Sequence, residues 1–166
     1  MTTETTYLAF DRDPAAGILH EWWTGLDQNR GERAELRRCR SPDEVVFTPA
    51  YHRLRTTLLN KGYRPNIERL ALVAGVISQV RNNTETGKFA KLMAAKKEKG
   101  GNSPVSEIRF RRLLTIDSPA ELYPVMTRLV KLTGGTAPLS DLADGLYWWN
   151  DQKKKFWAIA YYEQIV

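Results

Sequence analysis

The sequence predicts an all-α fold, and three observations support that prediction. Apolar residues recur with helical spacing along most of the 166 residues. Three dipeptides, each an aspartate or serine followed by proline, mark helix starts, because the side-chain oxygen can cap free N–H groups and proline suits the first turn. No segment shows the alternation of apolar and polar residues, closed by tight turns, that is typical of paired strands.

The first predicted helix begins after Asp13 and Pro14, and one face of it is apolar. That face carries Ile18, Leu19, Trp22, Trp23 and Leu26. The next start is predicted at Ser41 and Pro42, where the two acids that follow would lie near the positive end of the helix dipole. The segment beyond Lys61 is apolar on nearly all sides, which predicts a central, buried helix. Its apolar residues are Leu70, Leu72, Val73, Val76, Ile77 and Val80.

Five shorter apolar patterns complete the predicted helices. The third start signal, Ser118 and Pro119, opens one of them, and Gly134 with Gly135 is a stop signal for the same helix. In chain order the apolar positions are Phe89, Leu92 and Met93; Ile108, Leu113 and Leu114; Leu122, Val125, Met126, Leu129, Val130 and Leu132; Leu139, Leu142, Leu146 and Trp149; and Phe156, Trp157, Ala160 and Tyr161.

A charged, glycine-containing segment interrupts this series between Ala95 and Pro104, "AKKEKGGNSP". It lacks an apolar anchor, so it is the best predicted hinge. We therefore expect two small helical bundles joined by a short linker, an N-terminal domain of residues 1–97 and a C-terminal domain of residues 98–166. The first carries sixteen basic and eleven acidic residues, whereas the second carries nine and eight, so the positive charge is concentrated in the first.

The overall charge indicates a polyanionic partner. The net charge is +6 and the isoelectric point is about 9.5, values common among proteins that bind nucleic acid. No stretch approaches the eighteen apolar residues that a membrane span needs, and the N-terminus lacks the pattern of a signal peptide. We expect a cytoplasmic protein with no membrane partner.

The arginines between residues 30 and 40, "RGERAELRRCR", are the strongest candidate site. With helical spacing Arg30, Arg33, Arg37 and Arg40 fall in one row, which extends the apolar face of the first helix even if Gly31 bends it. Guanidinium groups bind phosphate through two parallel hydrogen bonds, so the row favours a nucleic-acid backbone. Pairing of single arginines with nearby carboxylates is the structural alternative.

Two further basic groups lie on predicted helices of the C-terminal domain. Arg109 and Arg112 share a face in "SEIRFRRLL", and Arg128 lies one turn before Lys131 on the following helix. Taken alone, each pair is compatible with ordinary surface charge. If they converge with the arginine row, they would line a path for a polyanion with little sequence preference, because phosphate contacts carry no base information.

Residues typical of catalysis or metal binding are sparse. His20 and His52 have no partner at metal-ligand spacing, and Asp141 with Asp144 fits helix-dipole compensation better than a magnesium site. Cys39 lies between two arginines that could lower its pKa, but it has no partner base. The five tryptophans could stack on bases, although their spacing among leucines favours the core. We expect no enzyme and no cofactor.

Three blocks of the chain resemble the CasB family, the small subunit of the type I-E CRISPR Cascade complex. They are "WWTGLDQNRGERAELRRCRSPDEV" from Trp22 to Val45, "VSEIRFRRLL" from Val105 to Leu114, and "KKKFWAIAYY" from Lys153 to Tyr162. The blocks occur in the family's order and spacing, so the resemblance spans nearly the whole chain.

The resemblance implies two small helical domains and a subunit without nuclease activity. It implies that two copies assemble with the other Cascade subunits, stabilise the complex, and contact crRNA or target DNA of the R-loop, notably the displaced strand, in antiviral defence. The nucleic-acid-binding residues carried over are Arg30, Arg33, Arg37, Arg38, Arg53, Arg109, Arg112, Arg128 and Lys131.

Two other functions stay open on the sequence. A stand-alone helical regulator would need base-reading amide side chains beside a tight turn, which neither arginine-rich block offers. A protein-only adaptor would use the same arginines to contact acidic partners. Binding of single-stranded DNA and of RNA separates both from the Cascade subunit.

Overall fold

The computed structural model describes residues 6–165, which form ten α-helices and one pair of very short strands. The helices are α1 (Ala15–Gly25), α2 (Arg30–Arg38), α3 (Pro42–Val46), α4 (Pro49–Asn60), α5 (Ile67–Ile77), α6 (Phe89–Ala94), α7 (Glu107–Leu113), α8 (Pro119–Leu132), α9 (Leu139–Tyr147) and α10 (Asp151–Ile165). Across this described part, none of the helices is both long and apolar enough to pass through a bilayer. The mostly helical fold class is confirmed.

Helix α5 lies at the centre of the core, as its composition predicts. Every residue from Leu70 to Ile77 is buried. Its closest neighbours are α3, α8 and α9, which surround it on different sides. An apolar surface on all sides is stable only when other helices cover it, so α5 is the helix against which the others are positioned.

Polar side chains begin most of these helices. Ser41 Oγ accepts a hydrogen bond from the Glu44 amide at 3.3 Å, and Ser118 Oγ accepts one from the Glu121 amide at 3.2 Å, which confirms both predicted starts. At the remaining predicted start, Asp13 and Pro14, the Asp13 carboxylate accepts a hydrogen bond from the Gly17 amide at 3.0 Å, and α1 begins directly after Pro14. Each contact satisfies an N–H that has no partner within the helix.

The first predicted helix is divided into two. After α1, a single 3₁₀ turn from Leu26 to Gln28 leads to Asn29, whose side chain accepts the Glu32 amide at 3.3 Å and starts α2. The break therefore falls at Asn29 and not at Gly31, because the asparagine provides a cap. Helix α4 was not among the predicted helices, although Thr48 before Pro49 is the same kind of start signal.

A two-residue parallel strand pair is the exception to the all-helical expectation. Residues Asn82–Asn83 form β1 and residues Thr136–Ala137 form β2. Strand β2 directly follows the Gly134–Gly135 helix stop. Both glycines have positive φ, and the Gly135 amide donates a hydrogen bond to the Val130 carbonyl at 2.9 Å. It ties the end of α8 to the segment after α5.

Four indole N–H groups link separate elements, because each donates a hydrogen bond to a backbone carbonyl far away in the sequence. Trp22 donates to Ala50, Trp23 to Val80, Trp148 to Leu8 and Trp149 to Ile116, at 2.7–3.0 Å. A buried indole N–H needs such a partner. These tryptophans are structural, as their spacing predicted.

The predicted linker is a closed loop between α6 and α7. Ser103 Oγ donates to the Ala94 carbonyl at 2.7 Å, and the Val105 amide donates to the Met93 carbonyl at 2.9 Å, so the two ends of the loop meet. Helix α6 packs on α10, α5 packs on α8 and α9, and one buried apolar cluster includes residues from both sides of the loop. The division into domains at 97/98 stays a prediction.

Candidate nucleic-acid interface

Helices α7 and α8 enclose a cleft that is basic at its rim and apolar at its base. Its volume is about 470 Å³. Arg109 and Arg112 reach it from α7, and Arg128 reaches it from α8. All three arginines are exposed, whereas Phe110 and Leu113 on the opposite face of α7 are fully buried. The alternation of core and charge along α7 therefore directs two guanidinium groups to one side.

A second cleft adjoins the first at Pro124, a residue that lines both. Its volume is about 390 Å³, and it lies between the end of α2 and the outer face of α8. We call the two clefts together the basic groove. Its seven cationic residues are Arg37, Arg38, Arg40 and Lys131 in the second cleft and Arg109, Arg112 and Arg128 in the first.

The seven cations of the basic groove have no acidic partner. Over residues 6–165, none of them lies within 4.0 Å of a carboxylate, and neither cleft is lined by an aspartate or glutamate. Like charges collected at one surface repel each other unless a polyanion neutralises them. The groove therefore has the electrostatics of a site for a phosphate backbone, with six of the nine predicted residues in it.

The C-terminal end of α2 is fastened to the end of α5. Arg37 Nε donates to the Ser78 carbonyl at 2.7 Å, and Gln79 Nε2 donates back to the Arg37 carbonyl at 3.2 Å. Partial burial lowers the pKa of Arg37, as do the charges of Arg33 and Arg81, yet a guanidinium stays protonated near neutral pH. The Nε contact fixes the side chain and leaves its terminal nitrogens free for an anion.

Tyr123 fastens the same segment to α8. Its phenol donates to the Cys39 carbonyl at 3.3 Å, and burial raises the pKa of the phenol, which keeps it a neutral donor. The ring lies directly on Gly75 of α5, where an added Cβ would be 2.3 Å from the Tyr123 oxygen. The close approach of α8 to α5 at this point therefore requires glycine.

Two of the predicted residues are ion-paired and line neither cleft of the basic groove. Arg33 pairs with Asp27. Arg53 forms a bidentate ion pair with Glu32, in which the distance from its Nη1 to Glu32 Oε1 is 2.7 Å. Hydrogen bonding to Arg53 lowers the pKa of Glu32 and, reciprocally, raises that of Arg53. We use the name paired face for Arg30, Arg33 and Arg53, the predicted residues that line neither cleft, of which Arg33 and Arg53 are ion-paired.

Arg30, the remaining member of the paired face, is exposed at the first position of α2. No carboxylate of the described residues lies within 4.0 Å of it. It does not line either cleft of the basic groove. The predicted row of arginines is thus split: Arg37 and Arg40 lie in the groove, whereas Arg30 and Arg33 lie on the paired face.

Among the residues that line the basic groove, Arg40, Gln79 and Tyr123 were absent from the predicted set. Arg40 continues the arginine row, so its spacing did signal the position. The sequence did not indicate Gln79 or Tyr123, because they reach the groove only through the packing of α2 and α8 against α5.

Cys39 does not have the activated thiol that its two arginine neighbours suggested. Burial raises its pKa, and the charges of Glu44 and Glu35 act in the same direction, outweighing Arg38. Asp141 and Asp144 serve structural roles, since they accept the amides of Phe89 at 2.8 Å and Phe10 at 3.1 Å. No cluster of three potential metal ligands occurs in the range 6–165.

The comparisons with known proteins agree with the helical architecture. The family model described as CRISPR-associated protein Cse2 matches residues 32–162. No curated protein matches the chain. Among solved structures, a chain in the crystal structure of E. coli Cascade bound to a PAM-containing dsDNA target is 20% identical, with a TM-score of 0.71, over 90% of this chain and 95% of that one. This likeness shows a shared fold.

Proposed function

The chain belongs to the Cse2 family of CRISPR-associated proteins, and we propose that it is the non-catalytic small subunit of a type I-E Cascade complex. The family is the one predicted from the sequence, under its other name CasB. The proposed partners are the other Cascade subunits, a second copy of the chain, crRNA and target DNA. Support comes from the solved Cascade structure, whose similar chain belongs to a complex bound to double-stranded DNA.

The proposed task of the basic groove is to hold nucleic acid of the R-loop, foremost the displaced strand. The observation that carries this proposal is the convergence of seven unpaired cations from α2, α7 and α8 on one surface. No base-reading geometry is needed, because the displaced strand differs with every target and phosphates are common to all of them. The paired face would contribute less, since Arg33 and Arg53 already have anionic partners.

The groove would act on an equilibrium that is close to balanced. Forming an R-loop exchanges a DNA duplex for an RNA–DNA duplex of similar stability, so contacts to the freed strand can tip it. Each charge-assisted contact contributes on the order of 1 kcal/mol. A few contacts of this size suffice to shift the open state from minor to dominant. In this proposal the subunit forms two small bundles, and the groove spans both.

The test is target binding by the assembled complex. Cascade would be assembled with crRNA and a subunit carrying Arg37→Gln, Arg38→Gln, Arg109→Gln and Arg112→Gln, and its affinity for a double-stranded target measured. We expect weaker binding with normal assembly, and only a small fall in the melting temperature of the subunit, because Arg37→Gln removes the Nε contact to the Ser78 carbonyl. An unchanged target affinity of the complex that carries the quadruple variant would contradict the proposal.

The isolated protein separates the alternatives. A protein-only adaptor would bind neither single-stranded DNA nor RNA, and a stand-alone regulator would prefer one duplex sequence. The proposed subunit should bind single strands of any sequence, with an affinity that falls with salt at a logarithmic slope of about −0.7 for each phosphate contact.

A further inference from the structure

A second surface with nucleic-acid chemistry lies outside the basic groove, around the exposed ring of Tyr7. This ring is 64% exposed and stacks on Trp148, with centroids 4.8 Å apart and planes 9° from parallel. The guanidinium of Arg69 lies 5.5 Å from the centre of the same indole ring. A cation, an indole and a phenol thus form one stacked group whose phenol faces solvent.

Hydrogen bonds hold the segment around Tyr7 in place. The Trp148 indole donates to the Leu8 carbonyl at 2.7 Å, and Thr6 pairs with Tyr63 as an isolated parallel bridge. The ring therefore lies on a backbone that is fastened on both sides. An exposed aromatic side chain fixed in this way loses little conformational entropy when it binds a partner.

Two arginines contact residues that support the ring. Arg64 follows Tyr63 and donates to its carbonyl at 3.0 Å, which places its guanidinium near the bridge to Thr6, and Arg69 contacts Trp148. Neither arginine lies within 4.0 Å of a carboxylate of residues 6–165. Two unpaired cations beside a flat aromatic face are the usual composition of a site for single-stranded nucleic acid.

This surface and the basic groove lie at opposite ends of α5. Arg69 is in the first turn of α5, and the Tyr147 phenol, close to Tyr7, receives the Asn66 amide at 2.8 Å just before it. The groove begins at the other end, where Arg37 contacts the Ser78 carbonyl. Arg69 and Ser78 are nine residues apart, which corresponds to about 14 Å along the helix axis.

We propose that Tyr7, which stacks on Trp148 in a surface that also carries Arg64 and Arg69, is a platform on which a base of single-stranded nucleic acid stacks. The inference rests on the proposed function, and it adds a contact that depends on bases to one that depends on phosphates. The occupant is argued from charge and stacking: the chain has a net charge of +6, and exposed rings beside guanidinium groups are what sites for single-stranded nucleic acid use. Protein interfaces are also enriched in aromatic residues and arginine, so a protein partner is an outcome of the test.

The test compares two strands that differ only in their bases. A mixed-sequence single-stranded DNA and an abasic strand of the same length and charge would be titrated against the full chain and against Tyr7→Ala, Tyr7→Phe and the double variant Arg64→Gln with Arg69→Gln. We expect the full chain to bind the base-containing strand about tenfold more tightly than the abasic one. Tyr7→Ala should remove that preference, and Tyr7→Phe, which keeps the ring, should retain it.

Each outcome decides between the platform and its alternatives. The double arginine variant should weaken binding of both strands severalfold, because it removes phosphate contacts. An equal base preference in the full chain and in Tyr7→Ala would overturn the platform while leaving the groove intact. Failure of Tyr7→Ala to enter the Cascade complex, with base preference unchanged, would identify a protein docking face and also overturn it. If the full chain shows no salt-dependent binding to either strand, the proposed function itself is refuted.

Discussion

The basic groove and the paired face are built from the same residue type on adjoining parts of the chain, yet their electrostatics differ. Arg37 and Arg38 at the end of α2 share a cleft with Lys131 of α8, whereas Arg33 and Arg53 pair with Asp27 and Glu32. Helical spacing therefore decides which arginines share a face, and the neighbouring elements decide whether those arginines stay available. The same residue type is therefore ion-paired in one region and without a carboxylate partner among the described residues in the other.

The largest predicted effect is the contrast between two triple variants of equal charge. Replacing Arg109, Arg112 and Arg128 by glutamine should weaken single-stranded DNA binding by about a hundredfold, since three contacts of roughly 1 kcal/mol are lost. The logarithmic salt slope should fall by about 2. Fluorescence anisotropy at several salt concentrations measures both quantities.

The matched control is the triple variant Arg30→Gln, Arg33→Gln and Arg53→Gln. It removes the same charge from the paired face, so binding should weaken only severalfold, because two of these residues are already neutralised. Equal losses for the two triple variants would show that net charge, and not the groove, governs binding.

The next effect concerns the attachment of α8 to the end of α2. Gly75→Ala places a Cβ against Tyr123 and should lower the free energy of unfolding by about 1–3 kcal/mol, as overpacking does in other cores. The control is Gly25→Ala in α1, where no atom lies within 4 Å of the added carbon. Chemical denaturation measures both, and equal stability of the two variants would contradict the close packing of Tyr123.

A gain of affinity provides a sharper test of the paired face. The double variant Asp27→Asn with Glu32→Gln releases Arg33 and Arg53, so single-stranded DNA should bind severalfold more tightly at low salt. The double variant Glu98→Gln with Asp151→Asn gives the same charge change at exposed positions elsewhere and should have a smaller effect. If the two double variants bind alike, ion pairing is not what makes the paired face weak.

The smallest effect is on the pH dependence of stability. Arg53 lowers the folded-state pKa of Glu32, so the pair stabilises the protein fully above the ordinary pKa of glutamate and loses that contribution as pH falls through the folded-state value. For a largely exposed pair the contribution is at most about 1 kcal/mol. The difference in unfolding free energy between the wild type and Glu32→Gln should therefore shrink as pH falls below the ordinary pKa of glutamate, and a difference that grows with acidity would contradict the assignment.

Much of the fold follows from local chemistry that the sequence displays. Leu70 to Ile77 form the buried central helix because no side of that segment is polar. Ser41 and Ser118 start helices because each precedes proline and places an acceptor near free amides. Thr48 with Pro49 has the same signal for α4.

The sequence could not reveal which side chains meet across the fold. Glu32 and Arg53 are 21 residues apart and pair only because α2 packs on α4. Lys131 and Arg38 share a cleft because both elements pack near α5. The composition predicted a basic surface, but it could not show that the carboxylates of Asp27 and Glu32 would pair with two of its arginines in the folded protein.

The loop between Ala94 and Val105 gives the protein a convenient attachment point. Its ends are joined by the Ser103–Ala94 and Val105–Met93 hydrogen bonds, and the residues between Lys96 and Gly100 are exposed. Inserted residues lengthen a surface loop at little thermodynamic cost when its ends are already together. A fluorophore-binding peptide placed at Gly100 would therefore report on the subunit inside a working complex without altering its core, its groove or its stacked rings.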